Sequence, residues 1–318
     1  MSQQSDNQIS GDRIERLLLE YDLGKSTSLE VLRESSDNLV VLVNTQPKKV
    51  LRISKRARRH NFAFEFEFMQ LCNQHGIPVP GWNRARTGEI VAKVESTCAV
   101  LFDFVSGSHA DPTNQSLFLA QAQVAARQLA GIATIDAASV PSAPERTVTA
   151  ELERALKLHK VFDKEIEGGS DFLEAVRWAL DLVQGSHHPV ALLHNDFRIS
   201  NVLYNDQEIA GILDFDWSCK GPAIKDLAHA ALEWSFSDGA VVPDQQVMNT
   251  FIDAYYARTG GPPAIKSELE AWMRFSTLSD TATYFCDRIQ TGAASMRVAS
   301  SYMYKKYLYL TSQVQKES

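Results

Sequence analysis

Short apolar runs alternate with polar segments along the first hundred residues of the chain. Val, Leu and Ile dominate these runs and polar residues bound them, which is typical of successive antiparallel strands. One segment, NFAFEFEFMQLCNQHG, also places Phe64, Phe68 and Leu71 at helical spacing, and Gly76 is suited to end a helix. We therefore predict a helix there and another in DRIERLLLEYDLG. The predicted strands are SLEVLRES, NLVVLVN, KKVLRIS, IVAKVES and CAVLFDFVSG.

After Gly107 the apolar positions change to the 3.6-residue spacing of amphipathic helices. The pattern predicts a disordered tail at residues 1–11, a β-rich N-terminal lobe at 12–101, a hinge at 102–107 and a mostly helical C-terminal lobe at 108–318. The expected fold class is α+β with two lobes. The predicted C-terminal helices are LFLAQAQVAARQLAGIATI, ELERALKLHKVF, DFLEAVRWALDLV, DLAHAALEWSF, QVMNTFIDAYYART, SELEAWMRFSTLSDTATYFCDRI and YMYKKYLYL.

Composition and charge narrow the function classes. The chain has 318 residues, and its net charge of −7 disfavours a general nucleic-acid-binding protein, which is usually basic. The basic run KRARRH, Lys55 to His60, is either a phosphate-facing patch or an ordinary solvated segment. The four cysteines form no C-x-x-C pair, which argues against a disulfide framework or a zinc site. The polar N-terminus lacks a signal peptide's apolar core and no apolar run approaches roughly 18 residues, so we expect a cytoplasmic protein without a membrane span.

A cluster of polar residues lies between apolar runs in LLHNDFRISNVLYNDQEIAGILDFDW. NVLY and IAGILDF, with NDQE between them, predict a β-hairpin that brings Asn201 and Asp214 to the same end. An amide oxygen and a carboxylate are ligands suited to Mg²⁺ carrying phosphates. Asp196, five residues before Asn201, is then available as a general base, which is the arrangement that phosphoryl transfer needs. The alternative is a polar loop whose Asp and Asn side chains cap turns.

The spacing His194-x-Asp196-x4-Asn201, followed by Asp214-Phe215, matches the catalytic loop and the metal-binding Asp of kinases. With the Asp-Leu-Ala element that follows, the segment resembles the superfamily of aminoglycoside phosphotransferases, choline kinases and homoserine kinases. The resemblance implies a protein-kinase-like fold that uses ATP and Mg²⁺ to phosphorylate a hydroxyl group of a small molecule. It implies that Asp196 is the catalytic base, that Asn201 and Asp214 bind the metal, and that His194 orients the metal-binding segment.

Two further acids near this segment have more than one interpretation. By the resemblance, Asp226 is a buried acid that braces the catalytic loop, and the alternative is a helix N-cap. Asp216 binds metal or a cationic group of the substrate, or it faces solvent.

The resemblance also assigns residues to the nucleotide. Arg52 stands where the family usually has a lysine for the α- and β-phosphates, and Glu65 is its expected partner, with Glu67 as the alternative. The turn RESSDN takes the place of the phosphate-covering loop, although it contains no glycine. The hydrogen-bond donors expected in that turn are Ser35, Ser36 and Asn38. The strand VLFDFVSG resembles the family's adenine-contacting linker strand, and the residues expected to flank the base are Phe102, Phe104 and Val105.

The acceptor pocket of this superfamily is built from the C-terminal helices. Acidic and aromatic side chains there could form a pocket for an ammonium group, because aromatic faces attract cations. The other interpretation is that the aromatic residues belong to the core and the acids are solvated. The candidate residues are Asp216, Glu233, Trp234, Asp280 and Tyr284.

Three other function classes remain open. Arg52 and the glycine-free turn are compatible with a kinase-fold regulatory or binding protein that turns over no small molecule. A metal-dependent phosphoesterase normally needs more His and Asp ligands than this segment provides. A protein kinase is disfavoured because Asp-Phe-Asp replaces Asp-Phe-Gly and no Ala-Pro-Glu element follows. We expect a monomer or a homodimer whose partners are ATP and a small alcohol.

Overall fold

An antiparallel sheet forms the N-terminal part of the chain, in a computed structural model that describes residues 9–23, 28–35, 37–55, 60–144, 146–236, 239–292 and 296–317. Five of its six strands run in the order β1-β2-β3-β6-β4, and β5 pairs with β6. Each predicted strand is present, and the short β4 is an addition. The strands are β1 (Leu29–Glu34), β2 (Asn38–Val43), β3 (Lys49–Ser54), β4 (Trp82–Asn83), β5 (Ala92–Val94) and β6 (Thr97–Asp103).

Two helices cover opposite faces of this sheet. The first, α1 (Gly11–Leu18), packs through Leu17 on the face that carries Leu51. The second, α2 (Phe62–Gln74), is the helix predicted between the strands, and it lies on the other face. Successive side chains of a strand point to opposite faces. Arg52, the residue after Leu51, therefore reaches the side covered by α2.

Two boundaries differ from the sequence prediction. Ser10 caps α1 by accepting a hydrogen bond from the backbone N–H of Arg13 (3.3 Å), so this helix begins inside the tail predicted at residues 1–11. The first eight residues of that tail lie outside the described part of the chain. At the hinge, β6 continues through Asp103, so a paired strand includes the first two residues of the predicted segment 102–107.

The remainder of the chain is mostly helical, as predicted. Among the helices predicted after Gly107, ELERALKLHKVF needs correction, because this segment forms two short helices that meet at Leu158. The helices are α3 (Gln115–Ala133), α4 (Ala150–Lys157), α5 (His159–Glu165), α6 (Gly169–Gln184), α7 (Ala223–Ser235), α8 (Gln245–Thr259), α9 (Lys266–Gln290) and α10 (Tyr302–Glu317).

Three small strand pairs lie among these helices, and one of them is the predicted hairpin. In that hairpin β9 and β10 are antiparallel, with Val202 opposite Ile212. The pair β8 and β11 is antiparallel and the pair β7 and β12 is parallel. Their bounds are β7 (Ile166–Glu167), β8 (Val190–Leu193), β9 (Val202–Asn205), β10 (Glu208–Ile212), β11 (Cys219–Pro222) and β12 (Met296–Arg297).

The hairpin of β9 and β10 packs tightly against the hinge. A Cβ atom at Gly107 would lie 2.9 Å from the carbonyl oxygen of Tyr204, and one at Gly211 would lie 3.0 Å from a methyl carbon of Val105. Side chains at either glycine would therefore force the two segments apart. The backbone N–H of Ile212 also donates to the carbonyl of Pro78 (2.8 Å) in the N-terminal part. These contacts fix the hairpin relative to the sheet.

One hydrophobic core extends from α2 and β6 into the helical part of the chain. Phe68 on α2 is fully buried, and its ring meets the ring of Phe215 edge-on with 5.3 Å between centroids. Since Phe215 directly follows Asp214, this contact joins α2 to the metal-binding segment predicted from the sequence. Within the described ranges, none of the helices combines the length and the apolar character needed to cross a membrane.

Replacing Phe68 by alanine tests this junction. We expect Phe68→Ala to lower the free energy of unfolding by about 3–5 kcal/mol, because it removes buried apolar area and leaves a cavity. Urea denaturation measures the change. The control is Leu19→Ala, since Leu19 is 68% exposed and its truncation is expected to cost under about 0.5 kcal/mol. Similar losses for the two variants would contradict the packing described here.

Candidate active site

The carboxylate of Asp226 holds the loop that follows β8. Its two oxygens accept hydrogen bonds from the backbone N–H groups of His194 (2.8 Å) and Asn195 (2.9 Å). Asn195 has a positive φ of 66°, and its side-chain amide donates to the carbonyl of Trp217 (3.0 Å). Asp226 lies inside α7, whose N-cap is Pro222. The bracing role is therefore observed, and the N-cap interpretation of Asp226 is wrong.

His194 is fully buried between this loop and the end of the hairpin. Its Nε2 lies 2.9 Å from the carbonyl oxygen of Leu213, and its Nδ1 lies 3.3 Å from the backbone N–H of Asp196. These contacts define a neutral ring that donates from Nε2 and accepts at Nδ1. Burial lowers the pKa of His194, against the opposing charges of Asp226 and Asp196. The neutral ring therefore joins the catalytic loop to the residue before Asp214.

Asp196 is surrounded by donors. The side-chain amide of Asn201 donates to its Oδ2 and to its backbone carbonyl (2.9 Å each), and Arg198 Nε donates to its Oδ1 (2.7 Å). Burial alone would raise the pKa of Asp196, but the interaction with His229 and the charge of Arg198 outweigh it and hold the pKa below its usual value. The carboxylate is therefore ionised at neutral pH, as a proton acceptor must be.

Asp214 and Asn201 lie at the same end of the hairpin. The backbone N–H of Leu213 donates to the carbonyl of Asn201 (2.8 Å), and Asp214 follows with a positive φ of 66°. Burial and the negative charge of Asp216 raise the pKa of the Asp214 carboxyl. Two arginines from the sheet face this carboxylate, Arg33 at 3.5 Å and Arg52 at 3.9 Å. Asp214 is thus a partly buried acid that is stabilised by positive charge around it.

The donor set here suits Mg²⁺. The amide nitrogen of Asn201 is already used twice on Asp196, which leaves the amide oxygen for another partner. Across the described residues, no group of three or more His, Cys, Asp and Glu side chains has metal-binding geometry. One carboxylate and one amide oxygen are still suitable, because Mg²⁺ usually takes its other ligands from water and phosphate.

The expected pair of Arg52 and Glu65 is present. Arg52 Nη1 and Nη2 donate to the two oxygens of Glu65 at 2.7 and 2.6 Å, and both side chains are buried. Burial opposes the charge on Arg52, but the Glu65 carboxylate raises the arginine's pKa above its usual value. The alternative partner, Glu67, instead accepts hydrogen bonds from Ser142 N (3.0 Å) and Oγ (2.8 Å).

In the turn between β1 and β2, the backbone hydrogen-bond donors of the described residues are paired with acceptors of the same turn. The hydroxyl of Ser35 accepts from the backbone N–H groups of Asp37 (3.2 Å) and Asn38 (3.0 Å), and Ser35 N donates to Asn38 O (2.8 Å). The side-chain amide of Asn38 donates to Asp216 (2.7 Å). Ser35 and Asn38 are therefore engaged within the protein, and their role as phosphate donors stays a prediction. Ser36, the third residue of that prediction, lies outside the described residues.

Asp216 faces the N-terminal sheet, not solvent. Its carboxylate is buried, bonded to Asn38, and lies 3.4 Å from His60 Nε2. Burial would raise the pKa of Asp216, but the contact with His60 and the charge of Arg52 lower it. The solvent-facing interpretation is wrong, whereas its roles as a ligand of metal or of a cationic group of the substrate stay predictions. His60 is also the end of the basic run KRARRH, whose residues 56–59 lie outside the described part.

The linker residues differ in exposure. Phe102 is almost fully buried, with Trp82 edge-on at 5.0 Å and the Arg52 guanidinium 5.3 Å from its ring centroid. Phe102 is thus a core residue behind Arg52. Phe104 is 38% exposed and lies under Lys48.

Val105 packs on Gly211 of the hairpin. Phe104 and Val105 remain the predicted adenine contacts.

On the far side of Asp196, α7 and α9 place acids and bases together. His229 is buried, with Nε2 3.9 Å from Asp196 Oδ1 and Nδ1 3.8 Å from Asp280 Oδ2. One turn later on α7, Glu233 pairs with Lys306 of α10 at 3.2 Å. The predicted acidic pocket is therefore a mixed-charge cluster. Sequence analysis missed His229, Arg198 and Lys306, although His229 follows Asp226 by one helical turn and Arg198 follows Asp196 by two residues.

The predicted aromatic residues do not line this cluster together. Trp234 is 1% exposed and lies between Phe118 (5.9 Å) and Phe251 (5.8 Å), so it belongs to the core. The prediction that Trp234 contacts the substrate is corrected for this reason. Tyr284 lies one helical turn beyond Asp280, is 46% exposed and stacks under Arg288.

Comparison with known proteins agrees with this geometry. The model of the phosphotransferase enzyme family (APH) matches residues 28–265. The chain belongs to this family. The predicted superfamily and the predicted enzyme class, a phosphotransferase, are thereby confirmed. Two members of the family with similar sequences are the homoserine kinase of Pseudomonas aeruginosa (strain UCBPP-PA14), 26% identical over 262 residues, and that of Agrobacterium fabrum, 27% identical over 240 residues. The alignment with the Pseudomonas protein covers 81% of this chain and 80% of the relative. The alignment with the Agrobacterium protein covers 73% of this chain and 72% of the relative.

Two solved kinase structures share the fold of this chain. An amicoumacin kinase in complex with AMP-PNP, Ca²⁺ and Ami has a TM-score of 0.70 at 13% identity, covering 96% of this chain and 92% of that one. An ethanolamine kinase from Plasmodium vivax has a TM-score of 0.67 at 13% identity, covering 96% and 91%. The predicted two-lobed, kinase-like α+β fold is confirmed.

The buried pair of Arg52 and Glu65 generates a stability prediction. We expect Glu65→Ala to lower the free energy of unfolding by about 3–5 kcal/mol, because it leaves Arg52 buried without its carboxylate. The double variant with Arg52→Ala should lose less than the sum of the single variants, because neither charge is then left alone. Urea denaturation of the four proteins gives this coupling. Glu67→Ala is the matched control from the same helix, and an equal loss there would contradict the special role of Glu65.

Proposed function

We propose that the protein is an ATP- and Mg²⁺-dependent kinase that phosphorylates a hydroxyl group of a small molecule. The observation that supports this most directly is the ionised Asp196, held by Asn201 at the end of the hairpin that carries Asp214. Family membership supports the reaction class. The named solved structures include one with AMP-PNP, which supports ATP as the donor.

In this proposal Asp196 accepts the proton of the acceptor hydroxyl. The hydroxyl oxygen attacks the γ-phosphorus of ATP, a new P–O bond forms, the bond to the β-phosphate oxygen breaks, and ADP leaves. Asp214 and the amide oxygen of Asn201 would hold Mg²⁺, which supplies positive charge to the phosphates when bound. Arg198, already bonded to the base, would remain beside it while the phosphoryl group passes.

The acceptor is proposed to be an amino alcohol, with homoserine favoured over choline-like or aminoglycoside-like molecules. Two of the named relatives are homoserine kinases. The cluster of His229, Asp280, Glu233 and Lys306 carries both signs of charge, which suits a molecule with an ammonium and a carboxylate better than a cation alone. An ATP-consumption assay over homoserine, choline, ethanolamine and an aminoglycoside tests this. Turnover of choline with none of homoserine would contradict it.

A kinase-fold regulator without turnover is the second candidate. The turn between β1 and β2 supports this candidate. The backbone N–H groups of Asp37 and Asn38 already donate to the hydroxyl of Ser35, so the turn offers fewer hydrogen-bond donors to phosphate. ATP binding with no phosphorylation of any acceptor, at concentrations where the acceptor binds, would favour it over the kinase.

Changing the base tests the chemistry. We expect Asp196→Asn to lower turnover roughly 10²–10⁴-fold, the usual contribution of general base catalysis, while ATP still binds. Steady-state kinetics and calorimetry measure the two properties. The control is Asp206→Asn, an exposed acid in the turn of the same hairpin, for which turnover should stay unchanged. Turnover near the wild-type rate in Asp196→Asn would show that another group is the base.

Changing Asp214 tests the metal. We expect Asp214→Ala to abolish the increase in ATP affinity that Mg²⁺ gives the wild-type protein, because the site loses its one carboxylate ligand. Calorimetry with Mg²⁺ and with a chelator separates this effect from a general loss of nucleotide binding. A variant that keeps the full Mg²⁺ effect would rule out Asp214 as a ligand.

A further inference from the structure

In the turn that should cover the phosphates, the described backbone donors of Asp37 and Asn38 are already used within the turn. It contains no glycine, and the backbone N–H groups of Asp37 and Asn38 already donate to the hydroxyl of Ser35. Lys55 closes the turn by donating to Glu34 (2.6 Å) and to the carbonyl of Ser35 (3.0 Å). If the protein binds ATP, side chains must therefore neutralise phosphate charge that backbone groups neutralise in glycine-rich loops.

Arg33, the residue before that turn's Glu34, is directed into the cleft. The pairing of β1 with β2 shifts register between Val31 and Arg33, which is a β-bulge at Leu32. A bulge re-aims the side chains that follow it, and bulges are frequent beside active sites. The guanidinium of Arg33 lies 3.5 Å from Asp214 Oδ2 although 181 positions separate the two residues.

The contact of Arg33 with Asp214 is loose. Charged hydrogen bonds of this kind are usually about 2.7–2.9 Å long, so a 3.5 Å contact is easily exchanged. The side chain is also 58% exposed and can reorient, unlike Arg52, whose Nη atoms both donate to Glu65 in a buried pair. Arg33 is thus an exposed cation with one long contact at the edge of the predicted phosphate site, whereas Arg52 is buried and doubly bonded.

We propose that Arg33 is a second phosphate-binding cation. When nucleotide enters, the guanidinium of Arg33 gives up its contact with Asp214 and binds the polyphosphate of ATP. A guanidinium presents parallel N–H donors that match two phosphate oxygens, a stronger arrangement than one long contact to a carboxylate. Arg33 would compensate for the backbone N–H groups of Asp37 and Asn38, which are already used within the turn. This inference rests on the proposed function, because it assumes that ATP is the donor.

Calorimetry of ATP and adenosine binding tests the proposal. Arg33→Ala should weaken ATP roughly tenfold, the usual effect of losing one hydrogen bond to a charged group, and leave adenosine unchanged. Arg33→Lys should restore part of the loss, because it keeps the charge without the fork. The matched control is Arg16→Ala, which removes an exposed arginine paired with Glu95 on the other face of the same sheet and should bind both ligands as the wild type does.

Three results would overturn the proposal. ATP affinity that is unchanged or higher in Arg33→Ala would make the contact a restraint on Asp214. Equal losses for ATP and adenosine would make Arg33 structural. Failure of the wild-type protein to bind ATP would remove the proposed function as well, whereas in the first two cases the wild type still binds ATP and phosphorylates its acceptor.

Discussion

The carboxylate of Asp226 determines the conformation on which the catalytic centre depends. Its two oxygens hold consecutive backbone N–H groups, and one of them belongs to Asn195, whose positive φ is unfavourable for a residue with a side chain. Asn tolerates this conformation better than most residues, and the two hydrogen bonds to Asp226 hold it in place. The orientation of Asp196 follows directly from this turn. A buried acid far along the chain therefore decides where the base lies.

The centre also concentrates negative charge in a largely buried place. Asp196, Asp214 and Asp216 lie near one another, and a buried carboxylate is costly unless cations or donors surround it. Each of the three carboxylates is stabilised by different partners. Asp196 is paired with Arg198, Asp216 with Asn38 and His60, and Asp214 has long contacts to two arginines and a hydrogen bond shared with Asp216. Asp214 lacks a close cation of its own, and the ligand role predicted for it from the sequence stays a prediction.

Much of the fold and part of the site could be predicted because the signals are local. The hairpin of β9 and β10 follows from apolar runs bounded by NDQE, and the pair of Arg52 and Glu65 follows from a strand and the next helix. The failures involve contacts between distant segments. The sequence could not show that Trp234 is a core residue and not a pocket residue, because its core partners lie on the distant helices α3 and α8. Asp216 could not be assigned to Asn38, 178 positions away, until the lobes were assembled.

The sheet is tied to the helical part of the chain at two separate places. In the register of the sheet, Asp103 and Asn38 occupy opposite ends of paired strands. The five residue steps between these ends, at about 3.4 Å each, span roughly 17 Å. Beyond Asp103 the chain packs against the hairpin at Gly107 and Gly211, and at the other end Asn38 is bonded to Asp216. Two attachments this far apart resist a rotation of the sheet against the helices better than either would alone.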